Sequence, residues 1–231
     1  LLVEEVAGES FETFVHRELL QPLGMVRSGY ADLSATRNTA KSYDADGRPA
    51  PIYRYASNAA TGFTTSASDL VRLVLAELGT AAGSPLTQKT LESMRTAEAT
   101  SMGADIWGLG TVLYAPTKQG DVVFGHDGAN EPAISATVRI NPNTQDAIIV
   151  LATGSKGLAS QLGAAWVFWQ TGVPDILVVP AEIRRVMPVL GVGACGIVLL
   201  TFVSGWRTRR RRTRPAADSL SAADTSRRGS S

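Results

Sequence analysis

The sequence predicts an α+β fold in which helices pack on an antiparallel sheet, followed by one transmembrane helix. Three observations carry this prediction: apolar side chains recur at helical spacing early in the chain, short strand-like runs follow, and a long uncharged segment comes near the end. The strand-like runs are rich in Val, Ile and aromatic residues and are WGLGTVLYA, DVVFGHD, AISATVRI and DAIIVLAT. Because short turn clusters such as PTKQGD and NPNTQD separate them, we expect a four-stranded antiparallel meander.

Helices are predicted on both sides of these strands. LLVEEVAG is typical of the end of an amphipathic helix that Gly8 stops, and a second helix is expected from an N-cap at Ser10 to a stop before Pro22. SASDLVRLVLAEL, capped by Ser66, is the strongest helical pattern, and LTQKTLESM is a further short helix. GLASQLGAAWVFWQTG is an apolar helix that would cover one face of the sheet. Residues 26–62 read as a long loop, and such loops usually shape a binding site or a lid.

The long uncharged segment, VMPVLGVGACGIVLLTFVSGW, occupies residues 186–206. As a helix it would span roughly 31 Å, which matches a hydrocarbon core of about 30 Å. The alternative is a buried core helix, but core helices rarely run this long without a polar residue beyond Ser and Thr. Gly191, Gly193 and Gly196 would weaken a helix in water and are common in membrane spans. The segment therefore predicts a transmembrane helix.

The charges beside this segment predict its orientation. RTRRRRTR follows the span with six arginines, whereas only Arg184 and Arg185 precede it, so the positive-inside rule places the tail in the cytoplasm. We therefore expect a single-pass plasma-membrane protein whose main domain is extracytoplasmic. The arginine cluster is expected to bind anionic headgroups rather than nucleic acid. The predicted organisation is a main domain over residues 1–175, a linker over 176–185, the span over 186–206 and a basic disordered tail over 207–231.

Composition limits the chemistry that the chain can perform. The net charge of +1 combines a balance of −5 over residues 1–206 with +6 over residues 207–231, so the main domain is mildly acidic. One cysteine, Cys195, and two histidines cannot form a disulfide or a Cys/His metal cluster. No metal and no organic cofactor is expected.

Three phrases in the main domain resemble, in order, the penicillin-binding-protein-like serine hydrolases, the group that contains class C β-lactamases and D-Ala-D-Ala carboxypeptidases. EEVAGESFETFVHRELLQPLGM resembles the family's paired helices and its PLGM phrase. ATGFTTSASDLVRLVLAEL resembles its glycine-containing turn and S-T-x-x-D-L helix. GLGTVLYAPTKQGDVVFGHDGAN resembles the paired strands that lead to the family's third active-site motif, K-T-G or H-x-G. The resemblance covers about residues 1–170 and implies a partial β-lactamase/transpeptidase-like fold.

The resemblance also implies an acyl-transfer site. In the family a serine in S-x-x-K attacks an amide or ester, the lysine and a tyrosine in Y-x-N move the proton, and water hydrolyses the acyl-enzyme. The resemblance places His126, Asp127 and Gly128 in the third motif, with His126, Gly128 and Ala129 as catalytic candidates. The N–H of Ala129 would be one oxyanion-hole donor. Asp127 and Asn130 are expected to contact a peptidoglycan peptide, a β-lactam or another small substrate.

Simpler roles are open for the same residues. A histidine near a strand end is often a half-exposed surface or capping residue, and Asp127 could serve only in a salt bridge or a turn cap. His16, on a predicted helix, has no motif around it and is expected at the surface. The third motif also departs from the family where ANEPAIS has Pro132 in place of a glycine, which affects the turn beyond Ala129.

The two upstream motifs of the family do not occur in these 231 residues. None of the four lysines has a serine three positions before it, and none of the five tyrosines begins Y-x-N. Both motifs precede this region in the family, so we expect the C-terminal part of a longer, membrane-anchored serine hydrolase that is inactive by itself. The alternative is a non-enzymatic, membrane-tethered binding module or a decayed homologue.

Overall fold

A computed structural model describes residues 2–30, 39–53, 56–101, 103–130, 134–155 and 157–212. The chain divides into two compact units, Leu1–Pro180 and Ala181–Ser231. The first unit contains the predicted sheet and its helices, and the second contains most of one long helix.

The first unit is built on a six-stranded sheet in which every strand is antiparallel to its neighbour and the spatial order follows the chain. The strands are β1 (Ala99–Ser101), β2 (Ala104–Trp107), β3 (Val112–Pro116), β4 (Val122–Asn130), β5 (Ile134–Asn141) and β6 (Asp146–Thr153). The predicted antiparallel meander is confirmed, but the prediction of four strands is wrong. Gly110, at φ +75°, lies in a turn that divides the first predicted strand, so Trp107 belongs to β2 and Val112 begins β3.

Among its described residues, the first unit contains six helical segments. They are α1 (Leu2–Ala7), α2 (Phe11–Val15, continued by a π-helical turn over His16–Leu20), α3 (Asn58–Thr61), α4 (Ala67–Glu77), α5 (Gln88–Arg95) and α6 (Leu158–Thr171). The predicted N-caps are confirmed, since Ser10 Oγ accepts a hydrogen bond from Thr13 N at 3.2 Å and Ser66 Oγ accepts one from Asp69 N at 3.3 Å. Local side-chain chemistry therefore determines where α2 and α4 begin.

The sheet has a helix on each face, and strand alternation assigns the side chains to them. On one face Val112, Tyr114 and Val123 pack with Val167 and Trp166 of α6. On the other face Phe124 and Ile140 pack with Val74 and Leu78 of α4. The first unit is thus a three-layer arrangement, and successive residues of β4 belong to different layers.

The first residues of the predicted long loop are hydrogen-bonded to helix α4. The buried Asp69 carboxylate of α4 accepts hydrogen bonds from Arg27 N at 2.7 Å and from Ser28 Oγ at 2.8 Å. Gly29 then pairs with Thr64 through an isolated β-bridge. The parts of this loop over residues 31–38 and 54–55 lie outside the described residues.

The second unit consists, where the structure describes it, of helix α7 (Val179–Arg212) beyond residue 180. Within Val186–Arg207 of α7, the most apolar window of 18 residues has a mean hydropathy of 2.4, and none of that window is buried. This helix is long and apolar enough to cross a membrane. The basic tail over residues 213–231 lies outside the described residues.

Candidate functional site

The predicted site residues lie where β4 extends beyond β3. The β3–β4 pairing runs from Pro116↔Val122 to Val112↔Gly125 and stops there. From His126 to Asn130, β4 pairs only with β5 among the described strands. Because successive residues of a strand direct their backbone N–H and C=O groups to alternate sides, part of the backbone between His126 and Asn130 faces an open edge.

His126 presents an exposed imidazole on this segment. Its Nδ1 lies 2.6 Å from the carbonyl oxygen of Asp127. A carbonyl can only accept, so Nδ1 carries the proton and the neutral ring keeps Nε2 as an acceptor. The ring also lies 5.8 Å, centroid to centroid, from the partly exposed indole of Trp107 on β2. His126 is therefore held in one tautomer beside an aromatic surface that the sequence did not single out.

Asp127 points to the opposite face of the sheet, the face that α6 covers. Its carboxylate accepts hydrogen bonds from Arg139 Nη1 at 2.6 Å, from Thr137 Oγ1 at 2.5 Å and from the Tyr114 hydroxyl at 3.2 Å. Burial opposes ionisation of Asp127, but the hydrogen bonds from Arg139, Thr137 and Ser160 outweigh it and lower the pKa of the carboxyl. The structure thus gives Asp127 the salt-bridge role that the sequence left open.

Arg139 is the centre of this buried group. Its side chain is fully buried, and it donates to Asp175 from Nε at 3.1 Å and from Nη2 at 2.8 Å as well as to Asp127. The guanidinium lies 3.9 Å from the centre of the Tyr114 ring. Burial and the neighbouring carboxylates raise the pKa of the Tyr114 hydroxyl far above its ordinary value. The cluster joins β4, β5 and the segment after α6, so it fixes the strand that carries His126.

Steric crowding explains the glycine at one position of β4 and not at another. A Cβ at Gly125, whose φ is +150°, would lie 2.1 Å from the backbone oxygen of Val138, so the fold requires glycine there. A Cβ at Gly128 would meet no described atom closer than Ala136 Cβ at 3.9 Å. Gly128 and the next residue, Ala129, are exposed. Internal packing therefore does not explain Gly128, whereas close approach of a ligand to the strand would.

Asn130 ends β4 and holds the long loop. Its Nδ2 donates to the Tyr53 carbonyl oxygen at 2.7 Å, and Tyr53 N donates to Asn130 Oδ1 at 3.3 Å. The loop predicted to shape a binding site therefore meets the open segment of β4 at this residue.

A separate open groove of about 410 Å³ lies between α2 and residues 26–30, and Glu12, His16 and Tyr30 are among its lining residues. None of the predicted site residues lines it. Within the described ranges, no group of three or more His, Cys, Asp and Glu side chains is placed to hold a metal ion.

Comparison with known proteins bears on the resemblance. The model of the family described as Beta-lactamase matches residues 1–170. The chain belongs to the beta-lactamase family. No curated protein matches the sequence.

Solved structures share the beta-lactamase-family fold of this chain. A D-alanine carboxypeptidase AmpC from Burkholderia cenocepacia has a TM-score of 0.60 at 20% identity, over 73% of this chain and 57% of the neighbour. A class C beta-lactamase from Rhodobacter sphaeroides gives 0.60 at 17%, over 72% and 55%. The octameric penicillin-binding protein homologue from Pyrococcus abyssi gives 0.59 at 22%, over 74% and 40%. The chain spans about half the length of these neighbours, and at such identities the likeness concerns the fold.

Proposed function

We propose that this beta-lactamase-family chain forms the substrate-receiving part of an acyl-transfer site in a membrane-anchored, extracytoplasmic serine hydrolase. Its substrate would be a peptidoglycan peptide, a β-lactam or a small ester or amide, as is consistent with a family whose solved members include class C beta-lactamases and a D-alanine carboxypeptidase. The observation that carries the proposal is the open segment of β4, where the exposed His126 stands beside Gly128 and Ala129.

Each residue of this segment has a distinct proposed role. No described residue forms a hydrogen bond with Nε2 of His126. The imidazole binds a substrate carboxylate when it is protonated and joins the proton network when it is neutral. The missing side chain at Gly128 lets a substrate backbone approach the strand. The N–H of Ala129 donates to the developing oxyanion, an interaction worth roughly 3 kcal/mol of barrier.

Asp127 and Asn130 receive positioning roles in this proposal instead of substrate contacts. The Asp127 carboxylate is engaged by Arg139 beneath α6, and the Asn130 amide is engaged by the backbone of Tyr53. Asp127 thereby fixes the strand between His126 and Gly128, and Asn130 fixes the loop beside them.

The nucleophile of the reaction is absent from these 231 residues, since they contain neither S-x-x-K nor Y-x-N. We therefore expect the purified chain to bind such ligands without turning them over. Intact-mass spectrometry after incubation with a β-lactam should show no covalent adduct, and nitrocefin hydrolysis should not exceed that of an identically purified His126→Ala chain. A stoichiometric adduct, or turnover that His126→Ala removes, would show that this chain carries its own nucleophile.

The membrane part of the proposal rests on the apolar stretch of α7 and on the arginines that follow it. We place the first unit outside the cell, α7 across the bilayer and the arginines against anionic headgroups of the inner leaflet. Protease added to intact cells should digest the first unit and leave an epitope tag at the C-terminus. Digestion of the tag with protection of the first unit would show the opposite orientation. Recovery of the protein in the soluble fraction would show that α7 does not anchor it in the membrane.

A further inference from the structure

Trp107, the last residue of β2, contacts the proposed site through its ring. The indole lies 5.8 Å, centroid to centroid, from the His126 imidazole, and the two ring planes are inclined by 50°. Trp107 keeps 39% of its surface exposed beside this contact. The proposed function requires a substrate to reach His126, and a ring in contact with that imidazole lies within reach of the same substrate. Trp107 is therefore a candidate for substrate contact.

The backbone around Trp107 is held on both sides. Trp107 pairs with Val112 of β3, and its carbonyl oxygen accepts a hydrogen bond from Glu98 N at 2.7 Å. The next residue, Gly108, is buried, and a Cβ there would collide with the backbone oxygen of Met94 in α5. Side chains that recognise a ligand are placed more precisely on such elements than on loops. The indole is therefore attached to a well-anchored part of the sheet.

The two rings offer a ligand different interactions. Nδ1 of His126 donates to the Asp127 carbonyl oxygen at 2.6 Å, so Nε2 is the ring nitrogen that can meet a ligand, as a donor to its carboxylate when the imidazole is protonated. The indole presents an apolar face, on which another ring packs favourably at a centroid separation of about 4.5–7 Å. A carboxylate bound at Nε2 therefore brings the substituent on its α-carbon near the indole.

We infer that Trp107 determines specificity by receiving an aromatic or large apolar group that the substrate carries next to the carboxylate bound by His126. This inference rests on the proposed function and narrows its substrate class. Among peptide ligands it favours those whose C-terminal residue has an aromatic side chain over those that end in D-Ala. A methyl group is too small to cover the indole face, whereas a phenyl ring buries apolar surface and packs on it.

A matched pair of ligands tests this inference on the full chain in nanodiscs. Acetyl-D-Ala-D-Phe and acetyl-D-Ala-D-Ala differ by one phenyl ring, and calorimetric titration gives a Kd for each. We expect the native chain to bind the D-Phe peptide roughly five- to tenfold more tightly. Trp107→Leu should bring the ratio of the two Kd values close to one. Trp107→Phe should retain most of the preference, because it keeps a ring at this position.

A second exposed tryptophan provides the control. Trp169 on α6 is 75% exposed and makes no described contact with His126, so Trp169→Leu should keep the native ratio of Kd values. This ratio is also independent of folding defects, because an unfolded fraction weakens both apparent affinities by the same factor.

The outcomes separate this inference from the proposed function. Equal affinities of the native chain for the two peptides, or a Trp107→Leu chain that keeps the preference, overturn the inference and leave the proposed function intact. If Trp107→Leu weakens both peptides without changing the ratio, the indole only positions His126 and does not select the substrate. Failure of the native chain to bind either peptide contradicts the proposed function and this inference with it.

Discussion

Arg139 shows how a single buried side chain organises the candidate site. The sequence places it in the run AISATVRI, where strand alternation predicts a half-exposed residue, and nothing local indicates that two carboxylates approach it. Asp127 lies 12 positions before it and Asp175 36 positions after it, so the pairing depends on the register of β4 with β5 and on the path of the chain after α6. Sequence patterns do not carry that information.

Replacement of Arg139 tests the cluster. Arg139→Met should reduce the free energy of unfolding by about 3–5 kcal/mol, because it leaves the Asp127 and Asp175 carboxylates buried without their cation. Arg95→Met is the matched control, since Arg95 forms a longer and more exposed pair with Asp121 and should cost about 1 kcal/mol or less. Denaturant unfolding in detergent measures both. Equal losses in the two variants would contradict the central role of Arg139.

Glu77 makes the stability of the domain depend on pH. It is the last residue of α4 and is partly shielded from solvent, and no described residue offers its carboxylate a hydrogen bond or a cation. Burial raises its pKa from 4.5 to about 7. The folded state therefore holds a proton that the unfolded state releases, and this contribution to stability is lost as the pH rises from about 4.5 through about 7.

Glu77→Gln should remove this dependence. At pH 8 the variant should be more stable than the native chain by up to a few kcal/mol, at about 1.4 kcal/mol per unit of pKa difference. At pH 4.5 the two proteins should have similar stabilities. Unfolding measured across this range checks the prediction, with the exposed Glu92→Gln as a control for loss of a charge. A native advantage at pH 8 would refute the burial argument.

At the scale of elements, the sequence predicted the parts that local chemistry determines. The caps at Ser10 and Ser66 and the end of α1 at Gly8 follow from side chains within three or four residues, and all occur. Strands β1 and β2 were missed because they are only three and four residues long and lack an apolar run. Their presence brings Trp107 to His126, a contact that no spacing rule predicts.

The two glycines of β4 give a matched test of the strand. Gly125→Ala should reduce the free energy of unfolding by about 3 kcal/mol or more, because its Cβ would collide with the Val138 carbonyl at an unfavourable φ. Gly128→Ala should change it by less than about 0.5 kcal/mol, because the described neighbours leave room. The same Gly128→Ala chain should bind a β-lactam or D-Ala-D-Ala peptide more weakly. Unimpaired binding would remove the functional reason for this glycine.

At the scale of the whole molecule, the order of motifs predicted the family and the fold class. The third motif also predicted which segment of the chain, the end of β4, forms the candidate site. The resemblance named His126 and Gly128 because they match the H-x-G motif, and Ala129 because it follows that motif. It gave Asp127 a substrate contact and did not predict that this side chain turns to the other face of the sheet, where it meets Arg139.

Histidine-labelled NMR spectra of the full chain in nanodiscs, titrated with an acyl-D-Ala-D-Ala peptide, test the placement of the site most directly. The chain has two histidines, His126 on the open segment of β4 and His16 in the groove beside α2, so each ring reports on one location. We expect the His126 resonances to shift saturably while those of His16 stay unchanged. A shift of His16 alone, or no response of either ring throughout the titration, would show that β4 does not receive this ligand.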